Sequence, residues 1–223
     1  TNNLRDFFNA KFEFESLPIF LKELEKYDYK KKIILELNDT KTIEAAKQFT
    51  DVEILYQTKS GYGNALIEGI NHTNTEYFSI INADGSMNPI ELEKMLKEIT
   101  NRDFDIVFGS RYMNNAGSED DDLITSVGNF IFSFIGKVFF KLKISDILYT
   151  YVVGKTNHVK NLNLMSQDFK LCIELPIKAH RNKYKYTSYP CNERKRIAGK
   201  KKVSPFIDGF RILLGMISLF FKR

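Results

Sequence analysis

The sequence predicts an α/β fold, a largely parallel sheet covered by helices, on three observations. Through residues 17–110, short apolar runs alternate with segments of helical spacing. Helix-start signals fall between them: Asp39 or Thr40 ahead of "KTIEAAKQF", the glycine turn "GYG" at 61–63, and Pro89 in the first turn of "NPIELEKMLKEI". The 223 residues, 43% apolar and 27% charged, suffice for one substantial core.

The elements follow in order. "LPIFLKELEKY" (17–27) has its apolar residues at helical spacing, and "KIILEL" (32–37) is a strand. Residues 39–49 give a second helix, "VEILYQ" (52–57) a second strand, and "GYGNALIEGI" (61–70) a turn into a third helix. "YFSIIN" (77–82) is the next strand, 88–99 a helix and "FDIVFGS" (104–110) a fourth strand. Ligands of such sheets sit beyond the carboxyl ends of the strands, at Asn38–Asp39, Gly61–Gly63, Asn82–Asp84 and Ser110–Arg111 here.

The second half changes character. The acidic run Glu119–Asp122 reads as a mobile loop, and "YKYTSYP" (184–190) as a strand. "NERKRIAGKKKVS" (192–204) is a basic, glycine-broken segment before a last helix. Two helices carry apolar faces edged with cations: "GNFIFSFIGKVFFKLK" (128–143), with Phe130, Phe134 and Phe139 beside Lys137, Lys141 and Lys143, and "FIDGFRILLGMISLFFKR" at the C-terminus. Neither apolar run reaches the roughly 20 residues of a bilayer span; they suit a membrane surface, or else a core or partner. No repeat or low-complexity linker marks a second domain.

Charge and cysteine content bound the function. Thirty-three Lys and Arg against 28 Asp and Glu give +5, which suits anionic partners: phosphates, anionic lipid or nucleic acid. Cys172 and Cys191 form no C-x-x-C pattern and the three histidines are scattered, which argues against a zinc site or a disulfide framework. A specific nucleic-acid partner is not expected, because the aromatics lie in the apolar helices rather than among the Lys and Arg. The chain opens on Thr1 rather than Met, without a secretory signal, which points to a trimmed start.

The stretch "FSIINADGSMNP" (78–89) ends an apolar strand in a carboxamide and, two residues on, a carboxylate. Asp84 is ill-suited to a core but well placed at a sheet rim to hold a hard cation that bridges substrate phosphates, with Asn82 offering a carbonyl oxygen and Ser86 a hydroxyl or a water contact. The competing reading is a turn chosen for Gly and Asn freedom, with Asp84 or Ser86 capping the next helix. Arg194, Lys195, Arg196, Lys200, Lys201 and Lys202 favour the first, since a basic loop can close over a pyrophosphate.

"NADGS", "FGSRY" (108–112), "KISD" (143–146) and the segment from Lys178 to Leu214, in that order and spacing, resemble the family-two, GT-A-fold glycosyltransferases, most closely the dolichyl- or polyprenyl-phosphate sugar transferases. The resemblance spans about Leu17 to Leu214 and implies a GT-A, Rossmann-like domain over 1–205 followed by an apolar helix at 206–223. It implies Mg²⁺ or Mn²⁺ and the donor diphosphate at Asn82 and Asp84, and Arg111 near an acceptor phosphate. It also implies Arg196, Gly199 and Lys202 over the diphosphate, with Asp39 against the nucleotide base. The chain departs from the family pattern in four places. Asn82 replaces the first Asp, Lys201 replaces a loop Ser, no Ser-Gly-Phe-Arg follows Asp146, and residues 1–16 show no recognisable opening strand, which was rebuilt from "KFEFE" or lost.

The activity implied is inverting transfer of a sugar from a nucleoside-diphosphate sugar to a membrane-held acceptor, a polyprenyl phosphate, by a protein peripheral to the cytoplasmic face of the membrane. A phosphate acceptor is already an anionic nucleophile and needs no strong base; a sugar hydroxyl would need one, for which Asp146 and Glu174 are the candidates. The alternative is a non-catalytic binding or scaffold protein of the same fold, which Asn82 and the missing strand favour.

Overall fold

The structure, a computed structural model, describes residues 4–199, 201 and 203–222. The first half runs β1 (Leu4–Asn9), α1 (Ser16–Leu24), β2 (Lys30–Leu35), α2 (Thr40–Ala46), β3 (Val52–Tyr56), α3 (Tyr62–Asn71), β4 (Tyr77–Asn82), α4 (Pro89–Asn101) and β5 (Ile106–Ser110). The second half runs β6 (Gly117–Ser118), α5 (Leu123–Phe140), β7 (Val152–Lys155), α6 (Thr156–Lys160), α7 (Leu171–Arg181), β8 (Tyr186–Pro190), β9 (Asn192–Glu193) and α8 (Pro205–Phe221).

Seven strands form one sheet in the order β3-β2-β1-β4-β7-β5-β8, and β6 with β9 a short parallel ribbon. Pairing is parallel between β3 and β2, β2 and β1, β1 and β4, and β5 and β8; β7 alone runs antiparallel, between β4 and β5. The α/β expectation holds, with one reversed strand inside the parallel set. The opening strand, expected to be absent or rebuilt from "KFEFE", is present and central: it is "LRDFFN", with Asn9 in register with Asn82 on one side and Ile34 on the other. Arg5 and Asp6 disguised it, because charges inside so short a run mask the apolar signal on which strand recognition rests.

Side chains alternate across each strand, so each strand feeds two cores. Ile34, Phe78, Ile80, Ile106 and Phe108 face one, with Leu66, Ile173 and Ile212 from the helices. Ile33, Leu35, Ile81 and Val107 face the other, against Phe20, Leu21, Leu92 and Met95. A sheet covered on both faces has largely apolar strand centres, which is why "KIILEL" and "YFSIIN" read as apolar runs. Each fully buried Ile, Leu or Phe adds about 1.5–3 kcal/mol.

The acidic run, expected as a mobile loop, is engaged along its length. Asp122 accepts from the Thr125 N–H at 2.8 Å and caps α5, which therefore starts five residues before the expected stretch at 128, while Asp120 and Asp121 are ion-paired. Besides β1, the sequence reading missed the short elements β6, α6 and β9, as well as β7, four residues long, and α7, whose Pro176 lies inside the helix.

α5 is the one described helix long and apolar enough to cross a membrane by length and composition, with mean hydropathy 1.6 and 17% of the span buried. It packs beside α8, where Phe220 meets Phe139 and Phe140 edge to face. α8 is seated on the body through Ile212 and Met216. Phe130, Phe134, Phe206, Phe210 and Leu214 remain exposed on the two helices, Phe130 at 72% and Phe206 at 78%.

Candidate active site

A cavity of about 570 Å³ opens at the carboxyl ends of β1, β2 and β4. Its walls include Lys11, Glu36, Asn82, Asp84, Arg111, Asp120, Arg196 and Lys201, and on the apolar side Leu148, Phe169, Val203 and Ile212.

The "NADGS" turn is built by its own residues and by the basic segment. Asp84 Oδ1 accepts the Ser86 N–H at 3.0 Å, which leaves Oδ2 toward the cavity. Gly85 sits at φ +77°, and a Cβ there would lie 2.4 Å from Ile197 Cδ1, so only glycine meets both demands. The basic segment docks onto this turn through main-chain bonds, Arg194 N–H to the Ser86 carbonyl and Ile197 N–H to the Asp84 carbonyl, both at 2.8 Å. Arg194 then forks onto Glu23 at 3.0 Å and bonds the Gly85 carbonyl. Two stretches more than a hundred residues apart thus form one rigid wall.

Arg196 lies in that wall, half-buried. Nε and Nη2 reach Asp120 at 3.2 and 2.6 Å, and Nη1 stands 3.7 Å from Asp84 Oδ2. Burial would lower its pKa, but Asp120 and Asp84 outweigh that and raise it. Lys201 pairs with Asp122 at 3.0 Å. Lys202, the other expected loop cation, lies outside the described residues.

Asn82 ends β4, its carboxamide oxygen accepting one long bond, 3.4 Å, from the Tyr62 hydroxyl, which also meets Thr150 at 2.5 Å. Among the described residues no three His, Cys, Asp or Glu side chains converge as a closed metal site. Asp84 Oδ2 and the remaining lone pair of Asn82 do fit a hard divalent ion that takes its other oxygens from a bound diphosphate and water.

Several expected roles change. Asp39 is spent on the backbone: Oδ1 accepts from Thr42 N–H at 3.3 Å and Oδ2 from Phe12 N–H at 2.6 Å, so it caps α2 and ties down the β1–α1 turn, away from the cavity. The acid that reaches the cavity from β2 is Glu36, paired with Lys11 at 2.9 Å. Ser86 is buried beneath the turn, outside the lining.

Arg111 is closed in an ion knot rather than open to an acceptor. Nε and Nη2 bind Asp146 at 2.8 and 3.0 Å, Nη1 binds Glu193 at 3.2 Å, and Tyr149 covers its face at 4.5 Å. Burial alone would lower its pKa; Asp146 and Glu193 override this and raise it. Asp146 has no exposed side-chain surface and both of its oxygens are engaged by Arg111. Glu174 is engaged as well. It accepts from the Met165 and Ser166 N–H groups and pairs with Lys178 at 2.6 Å, fixing the loop whose Ser166 and Gln167 carbonyls crowd Gly61 and Gly63.

Glu193 does face the cavity, where burial raises its carboxyl pKa against the lowering effect of Arg111. Sequence reasoning passed over it because it stands beside a run of cations. Cys172 also lines the cavity, but burial pushes its thiol up to about 12, so it is no nucleophile.

The polar end of this cavity, with Asp84, Arg196 and Lys201 beyond the carboxyl ends of the strands, lies where an open α/β sheet binds its ligands. The profile of glycosyl transferase family 2 matches residues 7–162, and the chain belongs to that family and is a glycosyltransferase. An uncharacterised protein of Methanocaldococcus jannaschii is 26% identical over 203 residues, 88% of this chain and 84% of the relative. An uncharacterised glycosyltransferase of Mycobacterium tuberculosis is 24% identical over 172 residues, 77% of this chain and 76% of the relative. Glucosyl-3-phosphoglycerate synthase of Mycobacterium tuberculosis, solved with Mn²⁺, UDP-glucose and phosphoglyceric acid, superposes with TM-score 0.75 at 10% identity, over 98% of this chain and 80% of that one. A structure of the same enzyme with Mg²⁺ and UDP gives TM-score 0.64 at 10% identity, over 98% and 79%. The fold is therefore GT-A.

Proposed function

We propose that the chain transfers a sugar, with inversion, from a nucleoside-diphosphate sugar to a polyprenyl phosphate held in a membrane, as a peripheral protein at the cytoplasmic face. The observation that carries this reading is the continuity of the cavity. The polar end at Asp84 and Arg196 runs into apolar walls at Val203 and Ile212, and Ile212 belongs to α8, whose outer face joins that of α5 in one exposed apolar surface edged by Lys137, Lys141 and Arg211. A lipid-borne phosphate entering from that side would meet the donor's anomeric carbon without its chain crossing water. The two cysteines are buried free thiols, in keeping with a reducing compartment.

A phosphate oxygen of the acceptor attacks the anomeric carbon as the bond to the donor diphosphate breaks; the nucleoside diphosphate leaves and the sugar stays on the lipid phosphate. Arg196 and Lys201 stabilise charge growing on the leaving group. Mg²⁺ or Mn²⁺, the ions bound by the structurally similar synthase, would be held by Asp84 with Asn82 and would neutralise the diphosphate as a Lewis acid. The Glu36–Lys11 pair offers an acceptor and a donor to the base. Arg111 is the floor of the cavity, not its acceptor clamp.

Two measurements test this. Purified protein with UDP- and GDP-sugars, Mn²⁺ and a detergent-dispersed polyprenyl phosphate should form a glycolipid; transfer to phosphoglycerate instead would refute the lipid acceptor and turn attention to Glu193 as a base. In flotation with vesicles of anionic lipid, wild-type protein should rise with the lipid, and Phe130→Lys with Phe134→Lys should abolish this while nucleotide binding is kept. Equal flotation would refute the membrane face.

A further inference from the structure

Resting on the donor-site reading above, we propose that Asp120 is a positioning residue for the donor diphosphate and acts through Arg196. Three of its contacts go to that one residue: Oδ1 accepts from Arg196 N–H at 3.4 Å and from Nε at 3.2 Å, and Oδ2 from Nη2 at 2.6 Å. A guanidinium held along its Nε–Nη2 edge has its remaining edge fixed in the same plane, and here that edge points Nη1 at Asp84. Asp84 is where the diphosphate and its cation are read to sit, so the carboxylate sets the direction of a charge it never shares with the ligand.

Asp120 is itself well held. Its N–H donates to Ser118 Oγ at 3.2 Å, Ser118 Oγ donates to Glu193 at 2.5 Å, and Ser118 pairs with Glu193 in the β6–β9 ribbon. Glu119 N–H adds a bond to the Glu193 carbonyl at 3.0 Å. The acidic run is thus a rigid bracket on the basic segment, built 76 residues earlier in the chain. Without it, Arg196 is a long side chain in a glycine-broken segment, and ordering it falls to the ligand.

The test is a double-mutant cycle on nucleotide binding, measured by calorimetry with UDP and GDP in the presence of Mn²⁺. Asp120→Ala should weaken the nucleotide that wild type binds by roughly tenfold. Arg196→Ala should weaken it by roughly 10- to 100-fold. The double variant should bind no worse than Arg196→Ala alone, because Asp120 has nothing left to orient. A merely structural role would cost affinity in both backgrounds, so additive losses would overturn the proposal. Unchanged affinity in Asp120→Ala would overturn it too, and tighter binding would show the carboxylate to be a competing anion instead. Asp120→Glu, which keeps the charge, should recover part of the loss. Should wild type itself bind neither nucleotide, the donor-site reading falls and this inference with it; binding by wild type separates the two failures.

Discussion

Arg111 and Arg196 border the same cavity, and each is held by carboxylates, yet they do opposite work. Arg111 is buried, with Asp146 along one edge, Glu193 on another nitrogen and an aromatic ring over its face. Arg196 is half-buried, fixed along one edge by Asp120, its other edge directed at Asp84 across 3.7 Å. A guanidinium with all three nitrogens bonded to carboxylates is scaffold, while one held by a single edge is a preset ligand contact. Both arginines stand in motifs that resemble substrate-binding ones, so motif membership alone did not separate them. Partner count does.

The largest effect expected is at the carboxylate that Arg196 faces. Asp84→Asn retains an oxygen for the Ser86 N–H and removes the charge; turnover should fall roughly a hundredfold or more, with little change in melting temperature. Near-normal turnover would remove Asp84 from the chemistry. Next comes the closed arginine. Arg111→Ala strands the unexposed Asp146 without a counter-charge and should cost about 3–5 kcal/mol in urea unfolding. Arg111→Lys should restore only part, since an ammonium cannot fork onto Asp146 and reach Glu193 as well. Were Arg111→Ala stable but inactive, the contrast between the two arginines would collapse.

The smallest effect is on the loop behind Gly61. Burial pushes the Glu174 carboxyl up, but Lys178 and the Ser166 and Met165 N–H groups outweigh it and hold its pKa below the ordinary value. A depressed carboxyl contributes stability above the unfolded pKa of about 4.3 and loses it as pH falls through the folded one. Glu174→Gln should therefore be less stable by about 1 kcal/mol at pH 7. The gap should close below about pH 4; a gap that persisted there would assign the loss to packing.

The doubly covered sheet was legible because strands buried on both faces are largely apolar, as in "KIILEL" and "YFSIIN", and because Asp39, Gly61 and Pro89 announce their helices. β1 was not, since its apolar signal is broken by Arg5 and Asp6, nor was β7, too short to carry a period. Within the site, Asp84 and Arg196 were legible from residue type at strand end and loop. Asp39 and Glu36 were not distinguishable: both are acids near the end of β2, and only the backbone decides which caps a helix and which faces the cavity. The ion pairs of the acidic run were equally hidden, because Asp120 and Arg196 become neighbours only through the β6–β9 ribbon.

Metal-dependent nucleotide binding at Asp84 tests the central claim most directly. A thermal-shift titration of wild type and Asp84→Asn with UDP and GDP, each with and without Mn²⁺, reads it without needing the acceptor. One nucleotide should raise the melting temperature of wild type only when Mn²⁺ is present, and should lose that effect in Asp84→Asn. Stabilisation that is independent of Mn²⁺, or equal in the two proteins, would contradict a donor site at Asp84.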